Sequence, residues 1–472
     1  MTRLRPHIRA LTVLALPLIG SHLAQQAISI TDTVMLGWYS VEALAAVTLG
    51  ATLYFVAFVL GSGSALAVMP MVARAAAEGN EAQVRRVTRM GLWLAALTGV
   101  AIYPLFWFAE PILLALGQTE EVAAGARVYL RIAGAAMAFS LILMVLKSFL
   151  SALERTGPVL SATLAGAGLN ALLNWLLIFG NMGAPELGIA GAAVASLGTN
   201  LLICLVLGVY AARARALRVY ALFARLWRLD WPGFAAVFTL GWPIGLTQLA
   251  EVGLFSAASL MMGWLGTVEL AAHGVALQIA SVTFMVHLGL SSAATVRAGR
   301  AFGRQDFDGL RDGALAALIL SGAMVGLTVA LFLGVPELLI GLFLDPAEPE
   351  RGAIIAIGVA LLAVGALFQL ADAAQVIAIG LLRGLQDTRM PMVFAAVSYW
   401  AVGLPASYFL GFVAGLDGPG IWLGLVVGLV AAAALMLPRF WARLARLARM
   451  RRAARAGGIA PAGDGRASSG HA

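Results

Sequence analysis

Twelve long apolar runs constrain this chain more than any other feature. They cover roughly 11–36, 43–69, 90–116, 127–150, 158–180, 188–212, 233–260, 268–292, 313–343, 352–380, 391–413 and 418–442. A helix needs about 20 apolar residues to cross a bilayer, and each run is long enough. The runs are too continuous and too rich in Leu, Ala and Gly for barrel strands, which alternate with a period of two. The expected class is therefore an all-α integral membrane protein with twelve transmembrane helices. Composition points the same way. Of 472 residues, 61% are hydrophobic and 11% charged, against about a quarter charged in an ordinary soluble domain.

The first run follows Arg3, Arg5 and Arg9, as the core of a signal peptide would. It exceeds the usual core of about 7–15 residues, so it is expected to stay as the first span. The loops then test the count of spans. Segments on one side hold Arg3, Arg5 and Arg9, then Arg74, Arg85, Arg86 and Arg89, then Lys147 and Arg155. Five arginines follow between Arg213 and Arg228, four between Arg297 and Arg311, then Arg383 and Arg389, and eight from Arg439 onward. That side takes 28 of the 31 positive residues; the other keeps Arg127, Arg131 and Arg351. A missed or invented span would destroy this alternation. The bias places both termini in the cytoplasm, and the net charge of +8 reads as topology rather than as affinity for nucleic acid. Lys147, the only lysine, is expected near the inner end of span four, where it can reach water. The single cysteine, Cys204, cannot form an intrachain disulfide or a cysteine metal site.

The sequence also repeats itself at an offset of 226. Pro17 matches Pro243; Met35, Gly37 and Trp38 match Met261, Gly263 and Trp264; Leu44-Ala45-Ala46 matches Leu270-Ala271-Ala272. Six spans return a chain to its starting side, so the two halves share one orientation. Parallel repeats imply a pseudo-two-fold axis along the membrane normal with a cavity between the halves. The expected organisation is a first lobe at 1–212, an Arg-rich cytoplasmic linker at 213–232, a second lobe at 233–442 and a basic tail at 443–472. Arg443, Arg446, Arg449 and Arg452 suit an amphipathic helix on an anionic inner surface, or a solvated tail. The Gly457-Gly458 and Ser468-Ser469-Gly470 stretches are expected to be disordered.

Charge inside the hydrocarbon is costly, about 2.5–3.5 kcal/mol at a helix centre on insertion scales, so intramembrane carboxylates mark function by default. Three fall within spans: Asp32, Glu251 and Asp372. Asp32 lies closer to a span end, where water is within reach. The repeat partner of Glu251 is Gln25 and that of Asp32 is Ala258, so ion chemistry should differ between the halves. Asn170 and Asn174 lie one turn apart on span five. With a carboxylate and a hydroxyl, for which Ser196 is the candidate, amide oxygens can hold a hard cation. Interhelical hydrogen bonding explains the same pair. Gln278 and Gln369 are candidate cavity-lining groups, and Gln248 and Gln375 add polar contacts near the second-half carboxylates. His22, His273 and His287 read as helix–helix hydrogen bonders. No phosphate-binding loop, ATPase-sized segment or nucleophile–base set occurs. The chain reads as no enzyme, with no cofactor beyond a coupling ion and no nucleic-acid partner.

Leu16-Pro17, Thr31-Asp32-Thr33-Val34-Met35-x-Gly37, Glu269-Leu270-Ala271-Ala272-His273 and Leu382-Arg383-Gly384-Leu385-Gln386-Asp387-Thr388-Arg389 resemble the multidrug and toxic compound extrusion (MATE) family. The closest likeness is to its NorM-like branch, from Leu16 to about Gly424. The resemblance implies a V-shaped fold of two six-helix lobes that open alternately to each side. It implies export of bulky, often cationic or amphipathic drugs in exchange for Na⁺ or H⁺. By motif position the cation-binding carboxylates of the second lobe fall on Glu251 and Asp372, which would hold Na⁺ in a Na⁺-coupled protein. The first-lobe Asp falls on Asp32, and the span-five polar pair on Asn170 and Asn174. Two positions depart from the family pattern. Phe368 stands where relatives often have Tyr, and Gly274 where the span-eight His is often followed by Gln. Phe368, beside Gln369, is a candidate cavity residue without an oxygen to offer. A monomer in a bacterial inner membrane is expected. The alternative is a flippase for lipid-linked sugars, built on a related fold, with cations lining its cavity.

Overall fold

The computed structural model describes residues 3–346 and 348–456. Among the described residues there is no strand, and twelve helices are long and apolar enough to cross a membrane. They are α1 (Arg5–Tyr39), α2 (Val41–Ala77), α3 (Glu81–Trp107), α4 (Glu120–Ala152), α5 (Thr156–Phe179), α6 (Ile189–Arg213), α7 (Trp231–Leu265), α8 (Thr267–Gly303), α9 (Phe307–Gly334), α10 (Arg351–Gly384), α11 (Arg389–Val413) and α12 (Asp417–Ala456). Each expected run has its own long helix among them. Several helices outrun the apolar stretch, because a helix continues into the interface for as long as caps and packing hold it. α2, at 37 residues, is about 55 Å long at 1.5 Å per residue, well beyond the hydrocarbon thickness. The third and ninth runs each break once. α3 is followed by a short helix at Ala109–Ala115 and α9 by another at Pro336–Gly341. Pro336 opens its helix and forces Val335 out of helical geometry.

Helices α1–α6 pack as one lobe and α7–α12 as the other. The lobes meet through α1 against α8, α2 against α7, and α2 against α8. The first two contacts exchange under a two-fold axis and the third lies on it, as a parallel repeat requires. Local detail repeats as well. Ser21 Oγ donates to the carbonyl of Pro17 at 2.8 Å, and Thr247 Oγ1, 226 residues later, to that of Pro243 at 2.7 Å. Trp38 and Trp264 are both exposed near the ends of α1 and α7, where an amphipathic ring suits the membrane–water interface.

The closest contacts between lobes lie in the half of the bundle nearer the Arg-rich loops. Gly63 packs on the backbone of Gly241 and Gly245, and a Cβ there would collide with both. Ser62 Oγ lies 3.3 Å from Gln248 Oε1, Arg74 Nη1 3.3 Å from Gln386 Oε1, and Arg300 Nη1 2.7 Å from Glu154 Oε2.

The segment between the lobes is tied down. Arg89 Nε donates to Leu222 O at 2.9 Å and Trp93 Nε1 to Leu226 O at 2.8 Å, while Arg86 pairs with Asp230. Arg86 holds the Asp230 carboxyl below its ordinary value through that bond. The basic tail does not begin as a separate surface helix. It continues α12, and Asp387 receives Arg439 Nε at 2.8 Å and Arg443 Nη1 at 2.6 Å. The glycine- and serine-rich stretches expected to be disordered lie outside the described residues.

Candidate functional site

Each lobe holds one polar centre. In the first, Asp32 of α1 faces Asn170 and Asn174 of α5 and Ser196 of α6. Asn174 Nδ2 donates to Asp32 Oδ1 at 2.5 Å, Ser196 Oγ to Asp32 Oδ2 at 2.9 Å, and Asn174 Nδ2 also to Asn170 Oδ1 at 3.2 Å. Both asparagines are fully buried, and Asn174 Oδ1 has no donor among the described residues. Three helices thus bring together the four residues singled out from sequence. The carboxylate is half-buried, and two donors satisfy it.

The second centre lies among α7, α10 and α11. Asp372 is 1% exposed, and neither of its oxygens has a donor among the described residues. Glu251 Oε1 is buried and likewise without one. The two carboxyls interact electrostatically with each other and with Tyr399, and Arg383 acts on Glu251 and Tyr399. Gln375, one turn after Asp372, donates from Nε2 to the Tyr399 hydroxyl at 2.6 Å, and its Oε1 is buried without a donor. Among the described residues no three His, Cys, Asp or Glu side chains cluster as a metal site. A hard cation here would draw on two carboxylates and neutral oxygens, of which Gln375 Oε1 and the Tyr399 hydroxyl are nearest in kind. Burial disfavours an ionised carboxylate and a neighbouring cation favours it, so this centre suits exchange of positive charge.

The other candidates are placed as follows. Gln369 is fully buried, with Nε2 donating to Thr283 Oγ1 at 2.6 Å. Phe368 is buried between Phe255 and Trp422, at ring centroid distances of 5.9 and 5.7 Å. In this conformation both belong to the packed interior of the second lobe rather than to an open wall. Gln278 is half-buried on α8. His273 bonds Ser259 Oγ at 2.9 Å and accepts from Trp422 Nε1 at 3.0 Å, and His287 bonds Ser321 Oγ at 3.1 Å, as helix-joining groups do.

The family's sequence profile settles which fold lineage this is: the MatE profile matches residues 17–176 and 243–409, one segment in each lobe. The chain belongs to the MatE family. A probable multidrug resistance protein NorM of Rhizobium meliloti is 48% identical over 93% of this chain and 94% of its own. Another of the same name, from Agrobacterium fabrum, is 43% identical over 92% and 93%. Among solved structures, one described as the outward-facing conformation of a multidrug resistance MATE family transporter of the MOP superfamily superposes with a TM-score of 0.86. It shares 19% identity and covers 94% of this chain and 97% of its own. A MOP superfamily transporter from Pyrococcus furiosus superposes at 0.85, also with 19% identity, over 93% and 96%. These two bear on the fold.

Within this MatE chain, three side chains escape a reading by sequence. Tyr399 stands in a π-helical segment of α11, Val397–Gly403, and brings a phenol to the centre that lacks one at Phe368. Nothing in a run of apolar residues signals a π-turn, although a Ser-Tyr pair inside a span is a weak cue. Arg383, counted among the loop arginines, sits in the last turn of α10, where its charge reaches Glu251. Lys147, expected to reach water, is half-buried and ends on Gln25 Oε1 at 3.1 Å. Gln25 is the repeat partner of Glu251, so the first lobe carries a cation near the position where the second carries an anion.

Proposed function

We propose that this protein is a cation-coupled multidrug exporter, an antiporter that trades Na⁺ or H⁺ for bulky cationic or amphipathic compounds by alternating access. The observation that carries the reading is the Glu251–Asp372 pair of the second lobe, a half-buried and a buried carboxyl with three buried oxygens that lack donors among the described residues. Such a pair can hold a proton or a Na⁺, or attract a cationic substrate, but not all at full strength. The names of the NorM relatives support a drug as the substrate. The contacts between lobes, gathered at the Arg-rich ends, correspond to an outward-open state. We place those ends, with both termini, on the cytoplasmic side of a bacterial inner membrane, by the charge bias of the loops. A monomer suffices for the mechanism.

An external cation binding the carboxyls would favour drug release outside, because a ligand shifts the inward–outward equilibrium through its different affinity for the two states. The charge at the two centres supports cationic drugs over anionic lipid-linked sugars, since three carboxyls stand there against the one arginine, Arg383, whose charge reaches Glu251. The test is drug resistance. Expression in an efflux-deficient host should raise tolerance to ethidium, and Glu251→Gln or Asp372→Asn should abolish the gain at unchanged membrane abundance. Full resistance in both variants would overturn the reading.

A further inference from the structure

The Arg-rich seam holds a cavity that the transport reading does not use. It measures about 250 Å³ and lies where the two lobes meet. Arg297 and Arg300 of α8 and Arg304 at its C-cap line it, at spacings of three and four residues that put them on one side of the helix end. His7 of α1 and Glu154 of the turn after α4 close it from the first lobe, and Asp306 lines it from the second.

The charges there do not cancel. Glu154 is taken by Arg300 at 2.7 Å. Asp306 caps α9, receiving the Gly309 N–H at 2.9 Å. Among the described residues, Arg297 hydrogen-bonds His7 Nδ1, at 3.4 Å, and its buried Nε–H has no acceptor. Three guanidinium groups therefore meet two carboxylates, both already engaged, around a space large enough for a polyatomic anion. Guanidinium groups bind phosphate oxygens through paired, charge-assisted hydrogen bonds, and Arg297 has an N–H to give.

We propose that this cavity binds a phosphate-bearing anion across the seam of the two lobes, either the headgroup of an anionic phospholipid or a free phosphate. Both sources offer the same chemistry, a tetrahedral phosphate with unshielded oxygens. Residues of both lobes line the site, so binding is linked to closure of the Arg-rich end.

The test uses the full-length protein in a neutral detergent, with thermal unfolding as the readout. Phosphatidylglycerol, phosphatidylcholine and inorganic phosphate are titrated separately at constant ionic strength, with chloride as the control. Saturable stabilisation by phosphatidylglycerol but not phosphatidylcholine supports the site with a lipid headgroup as ligand. Saturation by inorganic phosphate supports it with a free anion. In Arg297→Gln the apparent Kd should rise about tenfold, the equivalent of one charge-assisted bond. Gly313→Leu, which fills the cavity beside His7 and leaves all three arginines in place, should abolish saturation and decides the matter if the arginine variant does not fold. No saturable effect of either phosphate source, or an unchanged Kd in the folded variants, would overturn the proposal.

Discussion

Asp372 and Glu251 each carry a carboxyl into a region where charge costs about 2.5–3.5 kcal/mol, and the described residues supply no donor to three of their four oxygens. Asp32 differs. Two side chains donate to it at 2.5 and 2.9 Å, so its charge is balanced by hydrogen bonds. An incoming cation gains most where bonds are missing, which ranks the second lobe above the first. A charge-assisted contact is worth up to about 3 kcal/mol, so Asp372→Asn or Glu251→Gln should weaken cation binding roughly 100-fold. Isothermal titration of the purified protein with Na⁺, and proton release on binding in the event of H⁺ coupling, would check this. At this scale the sequence was legible wherever a polar group interrupts an apolar run. Asn170, Asn174 and Ser196 form a candidate set that needs a carboxylate, and the fold shows that Asp32 supplies it. Tyr399 did not stand out, because an aromatic residue in a span looks like packing. Arg383 did not either, because a cation near a span end looks like topology.

Between helices, two features hold the Arg-rich end together. Asp387, 5% exposed, receives Arg439 and Arg443 and so fixes α12 to the turn after α10. Asp387→Ala leaves both arginines unpaired, at a cost of about 1–3 kcal/mol, less than for a fully buried pair because both arginines reach water. Limited trypsin digestion should then cut between Arg443 and Arg452 faster than in the unaltered protein. Gly63 is the second feature. Gly63→Leu inserts a side chain where backbone meets backbone, and overpacking of this kind costs about 1–3 kcal/mol. The lobes should part at that end. Cysteines placed at Glu154 and Arg300, in a Cys204→Ala background, should be joined by a bifunctional thiol reagent of side-chain length readily in the otherwise unaltered protein and poorly beside Gly63→Leu. Span existence was readable because a bilayer demands long apolar segments. Span ends were not, since α2 runs on past Arg74 and α8 past Arg297 and Arg300, kept helical by their neighbours and caps.

At the scale of the whole molecule, a pseudo-two-fold frame carries unlike charges in its halves. Offsets in the sequence made the frame legible through Pro17 and Pro243 or Trp38 and Trp264. The same offsets showed Glu251 against Gln25, and the structure adds Lys147 beside Gln25. Only the fold reveals which end is closed, because no single helix encodes how two lobes lean. An asymmetric frame suits a transporter in which one lobe handles the coupling cation while both lobes move. The most direct test reconstitutes the protein with ethidium inside and applies Na⁺ and pH jumps separately. One of the two jumps should drive ethidium out, and Asp372→Asn should lose that response. Efflux at the unaltered rate in Asp372→Asn, or no response to either jump, would contradict cation coupling through the second-lobe carboxyls.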